Sequence, residues 1–221
     1  MLFSHQKPED STIVDLLASS LRKDIAFGVL LPDQKLKLNE LRSRYGGSNH
    51  SMRETLRILS TEGLVEATAQ RGFRVTSATE DDLRDIQLVR TEIEQIALSR
   101  AMALGDVAWE GQVIAAHHAL QKAETAVVDT PDDVTALEWD KACRDFFTAL
   151  IAACDSPRLI DTHRKFFDQS RRFRLALLRE GKLNWADRKT RQKALLDAIL
   201  DRNETRALAL LEEEIRAELR S

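Results

Sequence analysis

Asn49, His50, Ser51 and Arg53 bring an amide, an imidazole, a hydroxyl and a guanidinium together within five positions. An Asn amide pairs bidentately with adenine, and an Arg fork pairs with guanine or grips a phosphate. Arg57 extends the set by one helical turn, and Arg71 and Arg74 supply two more guanidinium groups further along. These are residues for reading DNA rather than for bond making. No nucleophile–base set, glycine-rich phosphate loop or paired carboxylate stands out, so an enzyme is not expected. The plain alternative for Asn49, His50 and Ser51 is an ordinary polar helix start.

The elements that must position these groups argue against that alternative. Leu38 to Tyr45 reads as a short helix and is followed by Gly46-Gly47. Ser48 is a good N-cap for a second helix, because its hydroxyl can satisfy free first-turn amides. Met52, Leu56 and Leu59 recur at helical spacing and form its buried stripe. Ser48, Asn49, His50, Ser51 and Arg53 then lie at the N-terminal end, mostly off that stripe. Leu64 and Val65 lead into Arg71-Gly72, and Phe73 and Val75 lead away, which reads as two short strands around a tip. Helix, turn, helix, strand, tip, strand is a helix-turn-helix with a β-wing. That shape lays its second helix in the major groove of DNA. Arg71 and Arg74 project from the wing toward a minor groove or a phosphate.

At 221 residues the chain is too long for a winged helix alone and suits two small domains. The formal net charge of −3 is unevenly spread: residues 1–78 carry about +2 and the remainder about −5. A local basic surface suffices to bind phosphates. Two cysteines, Cys143 and Cys154, fit free thiols in a reducing cytoplasm. With neither a leader nor an apolar run near the ~18 residues of a membrane span, no membrane partner is expected. From Thr79 onward 3.6-residue patterns dominate and no strand signal occurs. Thr79 caps a helix whose first turn holds Glu80, Asp81 and Asp82, and which runs to about Leu104. Further helices are expected near 107–127, 132–154, 157–180, 184–201 and 203–219. The fold class is therefore mainly α. Residues 1–76 form a winged helix-turn-helix DNA-binding domain, and 77–221 an all-helical bundle for effector binding and dimerisation.

Residues 21 to 75 resemble the N-terminal domain of the GntR family of bacterial transcription regulators. The matching pieces are Leu21 to Gly28, Leu31-Pro32-Asp33-Gln34-Lys35-Leu36, Leu41, Ser48, Arg53-Glu54-Thr55-Leu56, Glu62-Gly63-Leu64-Val65 and Arg71-Gly72-Phe73. The family usually has Arg after the serine and often Pro two residues later. This chain has Asn49 and Ser51 there, which implies a different operator. The second half is similar to the FCD domain of one large GntR branch. Its carriers are Arg90-Thr91-Glu92-Ile93-Glu94, Gly105-Asp106-Val107-Ala108-Trp109-Glu110, Trp139 with Phe146, Arg172-Phe173-Arg174, Leu195 to Ile199, and Ala207. The Gly-Asp-x-x-Trp-Glu element resembles most the subgroup around the carbon-starvation regulator CsiR.

The resemblance implies a homodimer on a double-stranded DNA operator, with a small effector in the helical domain. Many FCD domains bind a divalent metal through one Asp and three His. The aligned positions here are Cys143, Phe147, Gln192 and Glu214, so no metal and no other cofactor is expected. His117, His118 and His163 lie elsewhere. A metal-free cavity must grip a small carboxylate with fixed charge or donors. Arg90, Arg172, Arg174 and Gln192 are the candidates, with Phe147 making the cavity more apolar. A structural ion pair is the competing role for each arginine, and Arg90 has Glu94 at i, i+4. The expected function is a sequence-specific transcription regulator, a repressor, whose operator binding responds to a small organic acid. The alternative is an effector-independent DNA-binding dimer with a degenerate cavity.

Overall fold

Leu17, Ala18, Leu21 and Ile25 recur at helical spacing, and in the computed structural model they are the buried face of α1 (Ile13–Ala26). The structure describes residues 13–68 and 72–218. Two units emerge from the backbone contacts, Met1–Ser77 and Ala78–Ser221. In the first unit, α2 (Leu38–Tyr45) and α3 (Asn49–Thr61) follow α1, and both α1 and α2 pack on α3. Met52, Leu56 and Leu59 of α3 are fully buried, as their spacing requires. They join Leu17, Leu21, Ile25 and Leu41 in one core.

The turn between α2 and α3 depends on its two glycines. Gly46 and Gly47 have φ of 81° and 83°, a left-handed conformation that a Cβ makes costly. A Cβ at Gly47 would also lie 3.0 Å from Leu17 Cδ1 and from Ser51 Oγ. The wing is a three-stranded sheet in the order β1-β3-β2. β2 (Val65–Thr68) and β3 (Gly72–Val75) are the expected hairpin, with Val65 opposite Val75. β1 (Lys35–Leu36) is an addition to the sequence reading. Its two residues pair with Arg74 and Phe73, too short a stretch to carry a period-2 pattern.

The second unit has six helices: α4 (Glu80–Leu104), α5 (Val107–Asp129), α6 (Asp133–Ile151), α7 (Pro157–Arg179), α8 (Trp185–Leu200) and α9 (Glu204–Glu218). Each expected helix is present. The third stops at Ile151 rather than 154, because Asp155 turns left-handed at φ 52° and Ser156 then caps α7. Helix neighbours close a ring, α4–α7–α6–α5–α8–α9 and back to α4. Its interior is apolar in the main, with Leu98, Val113, Phe146, Leu175, Leu195 and Leu211 all fully buried. No helix among the described residues is long and apolar enough to cross a membrane.

The corner between α4 and α5 explains the Gly-Asp-x-x-Trp-Glu element. Asp106 caps α5 by accepting from the Trp109 amide at 2.9 Å, and the Trp109 indole donates to the Ala149 carbonyl at 2.9 Å. The indole therefore lies flat on the helix end. A Cβ at Gly105 would sit 2.2 Å from Trp109 Cε3. Arg202 covers the other side of the ring and donates to the Gly105 carbonyl. Gly105→Ala should accordingly destabilise the helical unit by about 1–3 kcal/mol, since ring or backbone must move. Urea unfolding of the purified chain measures this; a loss below about 0.5 kcal/mol would show that the corner relaxes freely.

Candidate functional site

The N-terminus of α3 is fixed by a reciprocal cap. The Ser48 hydroxyl accepts from the Ser51 amide at 3.0 Å, and the Ser51 hydroxyl accepts from the Ser48 amide at 2.9 Å. This locks the helix start. It also gives Ser51 a place the spacing alone did not suggest: it is buried within the cap, beside the stripe. Asn49, His50, Arg53 and Arg57 remain on the exposed side. Arg42 of α2 donates to Asn49 Oδ1 at 3.2 Å and to the Gly47 carbonyl at 3.3 Å.

Arg53 and His50 make no hydrogen bond or ion pair among the described residues, whereas Arg57 leans on Glu54 at 3.4 Å. Arg74 pairs loosely with Asp33 at 3.8 Å. Arg71 lies outside the described residues. Lys35, Lys37, Asn39, Asn49, Arg53 and Gly72 line an open groove of about 740 Å³ between β1, the start of α3 and the wing. The two lysines were not singled out from sequence.

Ion pairs hold this surface to the rest of its unit. Arg22 of α1 grips Glu62 at the end of α3 with both ends of its fork, at 2.8 and 2.6 Å. The Tyr45 hydroxyl donates to Asp24, tying α2 to α1. Burial, then this bond to Asp24, pushes the Tyr45 hydroxyl well above its ordinary range, so it stays a donor. The exposed face of α3 is thus offered by a scaffold pinned at both ends.

The helical ring encloses two buried polar networks. In the first, Arg90 donates to Glu94 at 2.8 and 3.4 Å. His163 Nδ1 meets Glu94 Oε1 at 3.0 Å, and its Nε2 lies 3.2 Å from the Thr148 hydroxyl. Arg174 is paired with Asp140, which also accepts from Arg171. The Arg90 and Arg174 guanidinium groups lie 4.7 and 4.1 Å from the Phe167 ring, and Arg90 lies 5.2 Å from Phe147. Arg172 bonds Asp82 at the start of α4. The second network joins α5, α6, α8 and α9. Arg188 meets Glu124 at 3.4 Å and Cys143 Sγ at 3.8 Å, over the Trp139 ring at 5.4 Å. Gln192 Nε2 donates to Glu124 at 3.0 Å and to Glu214 at 3.4 Å, and Glu214 also accepts from Arg191 at 2.8 Å.

Of the residues proposed to hold an acid, Arg90, Arg172 and Arg174 are each taken by a carboxylate of their own unit. That is the competing role weighed for each of them. The partners of Arg172 and Arg174 lie 90 and 34 positions away, beyond the reach of any local pattern. Gln192 sits in the other network. Arg188, which sequence did not single out, is its centre. The four positions aligned with a metal set do not fit a cation. Phe147 has no donor atom, the Arg188 guanidinium faces Cys143, and Glu214 is occupied by Arg191 and Gln192. No group of three or more His, Cys, Asp or Glu among the described residues could hold a metal ion.

Comparison with known proteins agrees with this geometry. The family described as bacterial regulatory proteins, gntR family, matches residues 14–75, and the FCD domain matches residues 85–217. Over 198 residues the chain is 34% identical to the HTH-type transcriptional repressor GlaR of Escherichia coli strain K12, covering 88% of this chain and 89% of that protein. It is 36% identical over 145 residues to the uncharacterized HTH-type transcriptional regulator BphR of Paraburkholderia xenovorans strain LB400, covering 66% of this chain and 59% of BphR. In fold it is similar to the solved E. coli protein McbR/YncC, with a TM-score of 0.70 at 18% identity, covering 94% and 95% of the two chains. A putative GntR regulator from Rhodococcus sp. RHA1 likewise gives 0.70 at 22% identity, with 93% and 95% covered.

Two outcomes are expected from the ring interior. Elemental analysis of the mildly purified protein should find no stoichiometric Zn, Ni or Mn. About one metal per chain, with thermal stability lost to a chelator, would contradict the reading of Cys143, Phe147, Gln192 and Glu214. The second outcome concerns acid. Burial alone would raise the Glu94 carboxyl, but Arg90 and His163 outweigh it and hold it at about 2, below its ordinary 4.5. Asp140 is likewise held below its ordinary range: Arg174 and Arg171 overcome the effect of burial. The unfolded chain therefore binds these protons first, so stability present above pH ~4.5 drains away as pH falls toward ~2. Urea titrations across that window should show the decline. Glu94→Gln should cost about 3–5 kcal/mol at neutral pH by leaving Arg90 uncompensated, and should flatten the curve. A wild-type stability constant from pH 5 to 2.5 would contradict the assignment.

Proposed function

The chain belongs to the gntR family of bacterial regulatory proteins, in the branch that carries an FCD domain, and from that premise we propose that it is a repressor whose operator binding is modulated by a small organic acid. It is a DNA-binding transcription regulator. Two copies of the chain place their α3 helices on successive half-sites of a pseudo-palindromic operator. Asn49, His50 and Arg53 face the bases and phosphates, and Lys35, Lys37 and Arg57 add phosphate contacts. The observation that carries this reading is the capped start of α3, with Arg53 and His50 making no hydrogen bond or ion pair among the described residues, beside a groove that the wing completes. The repressor named GlaR supports the sign of regulation, and the FCD domain supports the acid. The acid acts through residues 76–82, which join the two units, and needs a differential affinity worth typically 1–3 kcal/mol.

A second reading, operator binding without an effector, is favoured by one observation: Arg90, Arg172 and Arg174 already have internal carboxylates. Small carboxylates separate the two. An acid that binds the folded chain raises its melting temperature, by an amount equivalent to about 2.7 kcal/mol at 100 times its dissociation constant. Under the first reading the same acid also shifts operator affinity; under the second no carboxylate moves either signal.

The operator contact is tested by Arg53→Ala in a gel shift on a duplex recovered by selection with the wild-type chain. Loss of one guanidinium contact should cost about 1–3 kcal/mol of affinity with the melting temperature unchanged. Wild-type affinity at matched salt would overturn the contact. Lys35→Ala should weaken binding less, lowering the salt slope by roughly one phosphate.

A further inference from the structure

We propose that Arg42 of α2 determines operator specificity through Asn49: by holding the Asn49 amide oxygen it leaves Asn49 an NH2 to offer, and so selects guanine over adenine at the base pair that Asn49 reads. The inference rests on the reading that the start of α3 faces the bases. Asn49 is exposed and lines the groove of about 740 Å³ together with Lys35, Lys37 and Arg53. Arg42 is not a lining residue of that groove, so its effect on a base passes through Asn49.

Arg42 spans the turn between α2 and α3. Its carbonyl accepts from the Gly46 amide at 2.9 Å, which closes α2. Its side chain runs forward over the turn. Nε donates to the Gly47 carbonyl at 3.3 Å, and Nη1 donates to Asn49 Oδ1 at 3.2 Å. Two nitrogens of one planar fork thus hold two points, one on the turn and one at the first residue of α3. A guanidinium has donors only, so the amide atom that meets it is the oxygen. The Asn49 NH2 makes no hydrogen bond among the described residues.

Other cations of this unit are answered by carboxylates: Arg22 by Glu62, Arg44 by Asp24, Arg57 by Glu54 and Lys37 by Glu40. Arg42 has no carboxylate partner among the described residues, and both its side-chain contacts are neutral oxygens. Its charge therefore acts on the Asn49 amide. A charge-assisted bond of this kind is roughly twice as strong as a neutral one, and it polarises the NH2 into a better donor.

The consequence is a change of base. Asn pairs with adenine by accepting from N6 with its oxygen while donating to N7. With the oxygen engaged by a cation, the N6 amino group of adenine meets a further donor where it needs an acceptor. Guanine presents two acceptors, N7 and O6, at the same position. The Asn49 NH2 suits that edge, and the guanidinium behind it adds a field that favours acceptors over an amino group.

The test uses the full-length protein and the operator recovered by selection. Asn49→Ala identifies the base pair that Asn49 reads, as the position whose preference is lost. Affinity is then compared for duplexes with guanine or adenine there. The wild-type chain should favour guanine by roughly tenfold. In Arg42→Met, which keeps the apolar stem, that ratio should fall toward parity, with the melting temperature and the preferences at other positions unchanged. Adding Arg42→Met to Asn49→Ala should change the preference no further, because the two residues act as one unit. Arg42→Lys keeps a charge without the fork; it should lose most of the ratio as well, and it decides the matter if Arg42→Met does not fold. A wild-type preference for adenine overturns the role of Arg42. So does an unchanged ratio in either folded variant, including one in which both duplexes bind equally more weakly. If Asn49→Ala alters no position, the base contact of Asn49 falls and this assignment with it, while Arg53→Ala still judges operator reading by α3 separately.

Discussion

A guanidinium group taken out of water must bring a carboxylate with it, and this constraint shapes the helical unit. Arg90, Arg174 and Arg188 are all buried, and each has an acidic partner on its own or a neighbouring helix. The desolvation cost per ion is several kcal/mol, recovered only with good geometry and further hydrogen bonds. That is why Ser170, His163 and Gln192 are buried with them, with Thr148 half-buried beside His163. The pairs also fix the order of the ring. Arg174–Asp140 joins α7 to α6, Glu94–His163 joins α4 to α7, and Arg188–Glu124 joins α8 to α5. The same constraint limits ligands. An incoming anion competes with a carboxylate already in place at each of them.

In the DNA-binding unit the governing effects are local. Two left-handed glycines, one reciprocal serine cap and a three-residue apolar stripe set where α3 begins and which way it faces. Each depends on residues within about two turns of one another, so most of it is legible in the sequence. The result is a rigid helix start, and rigidity matters because a base contact misplaced by an ångström is no longer a hydrogen bond. Lys35 of β1 extends this surface through register rather than through the helix: it pairs with Arg74 across the sheet, on the wing side of the groove.

That division between local and long-range effects also marks what could be read from the chain. Caps at Ser48 and Thr79 and 3.6-residue periodicity placed α3 and the six helices of the ring to within a few residues. The Gly105–Trp109 corner was visible as a motif, though its reason, a flat indole against a missing Cβ, needed coordinates. Ser51 looked exposed by spacing, yet its hydroxyl completes the cap. Arg172 and Arg174 looked available for a ligand because Asp82 and Asp140 are distant in sequence. Arg188 went unnoticed for a related reason. It lies in the polar run Asp187-Arg188-Lys189-Thr190-Arg191, where periodicity gives no sign that one of the charges turns inward.

The central claim is that a capped α3 in a two-copy assembly reads a specific DNA sequence. The most direct measurement is selection of random duplexes by the full-length protein at physiological salt, followed by sequencing of the bound pool. The account predicts enrichment of one inverted repeat, with half-sites spaced for two copies and with enrichment lost in Arg53→Ala. A pool without a shared sequence, or one that the Arg53→Ala protein enriches equally well, would contradict it.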